Sequence, residues 1–145
     1  MNIVTIDGMG GSIGNQIIRC LRENLPDDIH IIALGTNAIA AGNMMKAGAN
    51  RGASGENAIA VSVAEADLII GPISIVIPNS MMGELTAGMA ESIANSKAQK
   101  ILLPLVNPKF DLIGVSKIPL PHLMDEAVKI VRVKLGLPEE VKKDV

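Results

Sequence analysis

Tyrosine and tryptophan are absent from these 145 residues, and Phe110 is the single phenylalanine. Single-stranded nucleic acid is gripped by stacking its bases on aromatic side chains, and no such platform can be assembled here. A net charge of −2 and a pI near 5.6 also argue against a surface built to neutralise phosphate backbones. Nucleic acid is therefore not expected as a partner. Cysteine is nearly as scarce: the lone Cys20 cannot close an intrachain disulfide, which fits a reducing compartment. Two distant histidines, His30 and His122, with that one cysteine support neither a zinc site nor a Cys–His nucleophilic pair. No metal is expected. Long apolar runs are missing as well. The longest uncharged stretch, residues 68–83, contains Pro72, Pro78, Asn79 and Ser80. It falls short of the roughly 20 apolar residues that span a bilayer. Met1 to Val4 runs straight into a strand pattern with no leader before it, so the expectation is a cytoplasmic protein without a membrane partner.

What is present is aliphatic. Hydrophobic residues make up 48% of the chain, eight of them methionine, and only 19% of residues are charged. A mean hydropathy of +0.37 is high for a soluble monomer of this size. Some apolar surface should then be covered by a second copy, so a homo-oligomer is expected. The length suits one domain. Residues 1–137 are read as that domain and residues 138–145 as a charged tail that frays.

Strand and helix patterns alternate along the chain. Ile3, Val4, Thr5 and Ile6 form a β-branched run closed by Asp7 and Gly8, which reads as a buried strand. Ile13, Ile17, Ile18, Leu21 and Leu25 then recur at helical spacing, predicting a helix over 12–24. A second strand is expected over 29–34, and a helix capped by Thr36 or Asn37 follows and stops at Gly48. Residues 50–55 read as a polar connector and 56–66 as a third helix. Residues 67–71 are a strong strand signal, whereas 73–77 are either more strand or an apolar loop. A helix is expected over 80–96, capped by Asn79 or Ser80 with Glu84 in its first turn. Apolar runs at 100–105 and 111–115 precede a last helix over 120–135 that ends at Gly136. This alternation predicts an α/β fold: a single Rossmann-like domain, its sheet mostly parallel with helices on both faces. Ligands of such sheets bind beyond the carboxyl ends of the strands, where the strand order reverses.

The segment joining the first strand to the first helix carries the functional signal. Gly8, Gly11 and Gly14 stand three apart between strand and helix, with Asp7, Met9, Gly10, Ser12 and Ile13 completing the loop. Gly8 is expected to allow the sharp turn, Gly11 to let a phosphate approach the backbone, and Gly14 to let the helix pack on the strand. The start of the helix offers N–H groups and a dipole suited to a pyrophosphate. The reading is an NAD(P)-type dinucleotide, or another phosphate-bearing small molecule, bound at Asp7–Gly14. The alternative is a tight turn that only packs, or that holds some other anion. A dinucleotide site normally carries an acidic residue about 20 residues on, at the end of the second strand, for a ribose hydroxyl. Here that stretch is Gly35, Thr36 and Asn37, without a carboxylate. Neutral groups there tolerate a 2′-phosphate, with Lys46 or Arg51 as its cation. The cofactor is read as NAD or NADP, with a slight preference for NADP, while Thr36 and Asn37 could equally be helix caps.

The loop resembles that of extended short-chain dehydrogenases, which begin their glycine motif with threonine where this chain has Asp7. The resemblance implies no such activity, because that superfamily reacts through a tyrosine and a lysine four residues later, and tyrosine is absent. A resemblance covering most of the chain rests on residues 6–14, 33–38, 55–58 and 71–73. By these the sequence is similar to a small bacterial family catalogued as a domain of unknown function, family 3842. That resemblance implies a Rossmann-like fold and NAD(P) binding, and supplies no catalytic residue.

Other residues have two readings each. Arg51, in a polar stretch with Gly52 and Gly55 that runs into a helix, could clamp a phosphate or sit in a flexible connector. Glu84 is the best-placed carboxylate for a ligand, or merely a partner of a helix dipole. Asp7 could order the loop backbone or touch ligand. His30 reads as structural, and His122 as a solvated or capping residue at the last helix. Cys20 reads as a small core residue. The leading function is a nucleotide-binding sensor or accessory subunit. The alternatives are an enzyme acting on a nucleotide or phosphorylated metabolite with a site shared between subunits, using Glu84, His122 and Arg51, or an assembly protein whose glycine turn only packs.

Overall fold

The β-branched run at the start of the chain becomes the centre of a five-stranded parallel sheet. The computed structural model describes residues 1–105 and 109–140. Strand β1 (Asn2–Asp7) is followed by α1 (Ser12–Asn24), β2 (His30–Gly35), α2 (Ala38–Lys46) and β3 (Arg51–Ser54). Then come α3 (Glu56–Val63), β4 (Leu68–Pro72), α4 (Ala87–Asn95), β5 (Gln99–Leu103) and α5 (Leu120–Lys134). The sheet order is β3-β2-β1-β4-β5. β1 pairs in parallel with β2 from Asn2↔His30 to Asp7↔Gly35, and with β4 at Ile3↔Leu68 to Thr5↔Ile70. The chain thus builds outward from β1 to β3, crosses back, and builds the other way through β4 and β5. The reversal lies between β1 and β4.

A strand covered on both faces must be apolar throughout, and β1 and β4 are buried along nearly their whole length. Alternation sends Ile3 to one face, where it packs with Ile17, Ile18 and Leu21 of α1, Met44 of α2 and Val131 of α5. Val4 and Ile6 go to the other face, against Ile59 and Val63 of α3 and Met89 and Ile93 of α4. Burying each such aliphatic side chain contributes about 1.5–3 kcal/mol, so a core without aromatic rings is sufficient. The α/β, Rossmann-like architecture expected from the alternation is therefore the one observed. Among the described residues, no helix is long and apolar enough to cross a membrane.

Several expectations are corrected. The polar connector at 50–55 contains strand β3, an edge strand whose four residues are all exposed. It is held by backbone pairing with β2, Ile32↔Arg51 to Gly35↔Ser54, rather than by apolar side chains. The helix expected over 80–96 begins only at Ala87, with Thr86 as its cap accepting the Met89 N–H. Before it, Met81, Met82 and Gly83 all have positive φ, which no right-handed helix accommodates. Neither Asn79 nor Ser80 caps α4, and Glu84 stands outside it. Residues 73–76 form a short 3-10 turn, α3 ends at Val63, and residues 111–115 take no regular structure. Of the charged tail, residues 141–145 lie outside the described residues.

Candidate functional site

Asp7 ends β1 at the point of strand reversal, and its burial there is unusual for a carboxylate. One oxygen accepts the Gly8 N–H at 2.8 Å and the other the Gly14 N–H at 2.8 Å. Asp7 thereby satisfies an orphan donor of α1, whose own N-cap is Gly11 with no side chain to offer. Burial raises its pKa above the usual aspartate range. Hydrogen bonds from Gly14, Gly8 and Ile13 oppose that rise, and the nearby Glu84 charge adds to it.

The loop's carbonyls are tied down. Gly8 O accepts from Gly11 N at 2.9 Å, and Gly11 O from Asn15 N at 2.8 Å. Met9 O accepts from Asn37 Nδ2 at 2.8 Å, and Gly10 O from Asn43 Nδ2 at 2.7 Å. Two asparagines at the start and middle of α2 thus fix the orientation of the loop peptides. The N–H groups of exposed Gly10 and Ser12 have no hydrogen-bond partner among the described residues.

The three spaced glycines have separate duties. A Cβ on Gly8 would meet Met81 Sδ and Thr36 Oγ1 at 2.5 Å, and one on Gly14 would meet Asp7 Cβ at 2.9 Å. Gly11, expected to give a phosphate room, instead has φ +74° and lies against α2, where a Cβ would meet Ala40 Cα and O at 2.8 Å. The open position is Gly10, around which nothing lies within 4 Å of a Cβ.

Glu84 reaches the loop from the β4–α4 connection. Its Oε1 accepts from Met9 N at 3.0 Å, Thr36 Oγ1 at 2.5 Å and Asn37 Nδ2 at 2.5 Å. The Thr36 bond leads in holding its pKa below the usual glutamate range; burial works against it, while Asn37 and Met9 assist. A carboxylate therefore does stand at the end of β2, supplied by another part of the chain. Asn37 also caps α2 through its Oδ1, which accepts the Ala40 N–H at 2.8 Å, the cap role expected of it.

Backbone strain collects at the same place. Among the described residues, the non-glycine residues with positive φ are Met9 (55°), Asn79 (62°), Met81 (56°) and Met82 (59°), in the loop or in the segment that crosses it. Each costs about 1–2 kcal/mol, and such strain gathers at functional sites. Between loop and segment lies a cleft of about 240 Å³ lined by residues 7–13, Pro72, Ser74, Met81 and Leu105. That is below the roughly 300–1,000 Å³ of ordinary ligand pockets. Larger open grooves run beside α5: one of about 610 Å³ between α1 and α5, and one of about 720 Å³ that shares Leu105 with the loop cleft.

The remaining candidates are dispersed. Gly35, Thr36 and Asn37 adjoin the loop. Arg51 begins β3 and Lys46 ends α2, both at the amino ends of the strands, away from the crevice. His122 is exposed at the start of α5 and lines the α1–α5 groove with Cys20. His30 begins β2. No group of three or more His, Cys, Asp or Glu side chains that could hold a metal ion is found among the described residues. Asn43 was not singled out from the sequence; an asparagine inside a helix, where its propensity is poor, is the only hint.

Comparison with known proteins adds the following. A family described as Domain of unknown function (DUF3842) matches residues 2–136. No curated protein matches. The chain is similar in structure to an apo, histidine-tagged saccharopine dehydrogenase (L-Glu forming) from Saccharomyces cerevisiae, with 18% identity and a TM-score of 0.46. That likeness covers 74% of this chain and 22% of the dehydrogenase chain, so this chain spans about a fifth of its length. It is also similar to a dodecameric FMN-dependent Ubix-like decarboxylase from Escherichia coli O157:H7, with 14% identity, a TM-score of 0.48 and 99% of each chain covered.

Proposed function

We propose that this chain, which belongs to the DUF3842 family, binds an NAD(P)-type dinucleotide through its glycine loop and acts as a sensor or accessory subunit. The observation that carries the reading is the pair of unengaged N–H groups at Gly10 and Ser12. They stand at the start of a helix, at the strand reversal, in a loop whose carbonyls are otherwise occupied. Two fixed donors with a helix dipole behind them suit a pyrophosphate. Met9, Gly11 and Ile13 complete the loop around those donors, Asp7, Gly8 and Gly14 hold its shape, and Gly35, Thr36 and Asn37 border it. Arg51 begins β3 and Lys46 ends α2, both at the amino ends of the strands, so neither is assigned a contact in this reading. The cleft is small, so most of a dinucleotide would lie along the open crevice, with only its central part held closely.

A sensor or accessory role fits better than turnover within one chain, because Glu84, His122 and Arg51 are not gathered there; an enzyme whose site is shared between subunits is the alternative. Among the described residues, no general acid–base pair adjoins the cleft other than the two carboxylates already committed to backbone and side-chain donors. The reading is tested by melting the protein with NAD, NADH, NADP, NADPH, ATP and inorganic phosphate at millimolar concentration. A ligand at about 100 times its Kd stabilises the native state by roughly 2.7 kcal/mol. A dinucleotide should raise the Tm of the wild type and leave Gly10→Val unmoved. Equal or absent shifts with every compound would overturn the reading and favour a turn that only packs.

A further inference from the structure

We propose that Glu84 is the acceptor for the adenine-side ribose diol, and that the site consequently selects NAD(H) over NADP(H). The inference rests on the dinucleotide reading above. It reverses the expectation drawn from the uncharged end of β2. In sheets of this order a carboxylate at the end of the second strand receives the ribose hydroxyls. β2 ends without one, yet Glu84 stands at that place, bonded to both Thr36 and Asn37.

Its two oxygens are in different situations. Oε1 takes all three donors, from Met9, Thr36 and Asn37. Oε2 has no partner among the described residues. An oxygen anchored threefold orients its twin at no further cost in side-chain freedom, which is what a preorganised acceptor requires. A ribose diol can donate to that oxygen; a 2′-phosphate cannot donate and carries charge of the same sign. The anchoring groups are neutral, and the charge interaction between this carboxylate and Asp7 is with another acid. Lys46 and Arg51, the cations that would accept a 2′-phosphate, sit at the opposite ends of α2 and β3. Neither cation therefore supplies attraction for the extra phosphate, and the Glu84 charge repels it.

Calorimetric titration of NAD and NADP into wild type and Glu84→Gln tests this. Glutamine keeps a carbonyl oxygen for the three anchoring donors but replaces the second acceptor with an amide donor and removes the charge. The wild type should favour NAD by about tenfold or more, the scale of one charged hydrogen bond. Glu84→Gln should lose about tenfold in NAD affinity while NADP binding holds or improves. A wild type that takes NADP as tightly as NAD overturns the proposal, as does an unchanged ratio in Glu84→Gln. A wild type that binds neither overturns the dinucleotide reading itself. The wild-type ratio decides even if the variant fails to fold.

Discussion

Replacing Gly11 by alanine separates two duties that a glycine loop is usually credited with together. Gly11 has φ +74°, where an added Cβ costs about 1–2 kcal/mol in backbone strain. The same Cβ would meet Ala40 Cα and O at 2.8 Å, and these are backbone atoms of α2 that cannot swing aside. Crowding of that kind costs about 1–3 kcal/mol more. The sum, about 2–5 kcal/mol, is a large part of the roughly 5–15 kcal/mol that holds an ordinary domain together. One residue earlier, Gly10 has open space around it, so Gly10→Ala should change stability by no more than about 0.5 kcal/mol. Urea unfolding of the two variants beside wild type measures both, as midpoint shifts at constant slope. A Gly11→Ala midpoint within error of wild type would refute the packing argument. A Gly10→Ala loss as large as that of Gly11→Ala would refute the claim that the loop is open there.

Four further outcomes follow from the same geometry. Asp7 has a raised pKa, so as pH rises from the ordinary aspartate value through its raised folded value the unfolded chain gives up this proton before the native chain does, and the native state loses stability. Asp7→Asn should therefore gain stability relative to wild type across that window in pH-dependent denaturation; a difference independent of pH would refute it. Glu84 acts in the opposite sense, its lowered pKa contributing stability that disappears as pH falls through its folded value. Thr86→Ala removes the N-cap of α4 and should cost about 1 kcal/mol by thermal melting, an unchanged Tm being the contrary result. Met82 is 93% exposed with φ 59°, so Met82→Gly should relieve more strain than glycine costs in entropy and gain about 0.5–1 kcal/mol. A loss of stability would show that the left-handed turn is held by the methionine itself.

Much of the fold was legible because burial on both faces writes a strong pattern. β1 and α1 could be read closely from the β-branched run at Ile3–Ile6 and from the spacing of Ile17, Ile18 and Leu21, residues whose apolarity the two cores require. β3 was not legible: an exposed edge strand is fixed by pairing with β2, and Arg51, Gly52, Ala53 and Ser54 carry no trace of that. The late start of α4 was hidden for a related reason, since Met81 and Met82 are good helix formers forced into left-handed geometry over Gly8. The glycine loop itself was visible as a spacing, but the division of labour among its glycines was not. Gly11 is needed because α2 passes beneath it, and α2 is placed there by the tertiary fold. Likewise, the missing acidic residue at the end of β2 is made good by Glu84, 48 positions beyond Thr36, a proximity that linear spacing does not express.

The most direct test of the account is to follow the backbone amides of the loop by nuclear magnetic resonance while NAD is titrated in. Gly10 and Ser12, whose N–H groups have no partner among the described residues, should move most. Gly8 and Gly14, whose N–H groups are held by Asp7, should move little. Shifts concentrated elsewhere, with Gly10 and Ser12 unmoved at saturation, would contradict the claim that this loop is where a nucleotide's phosphates are received.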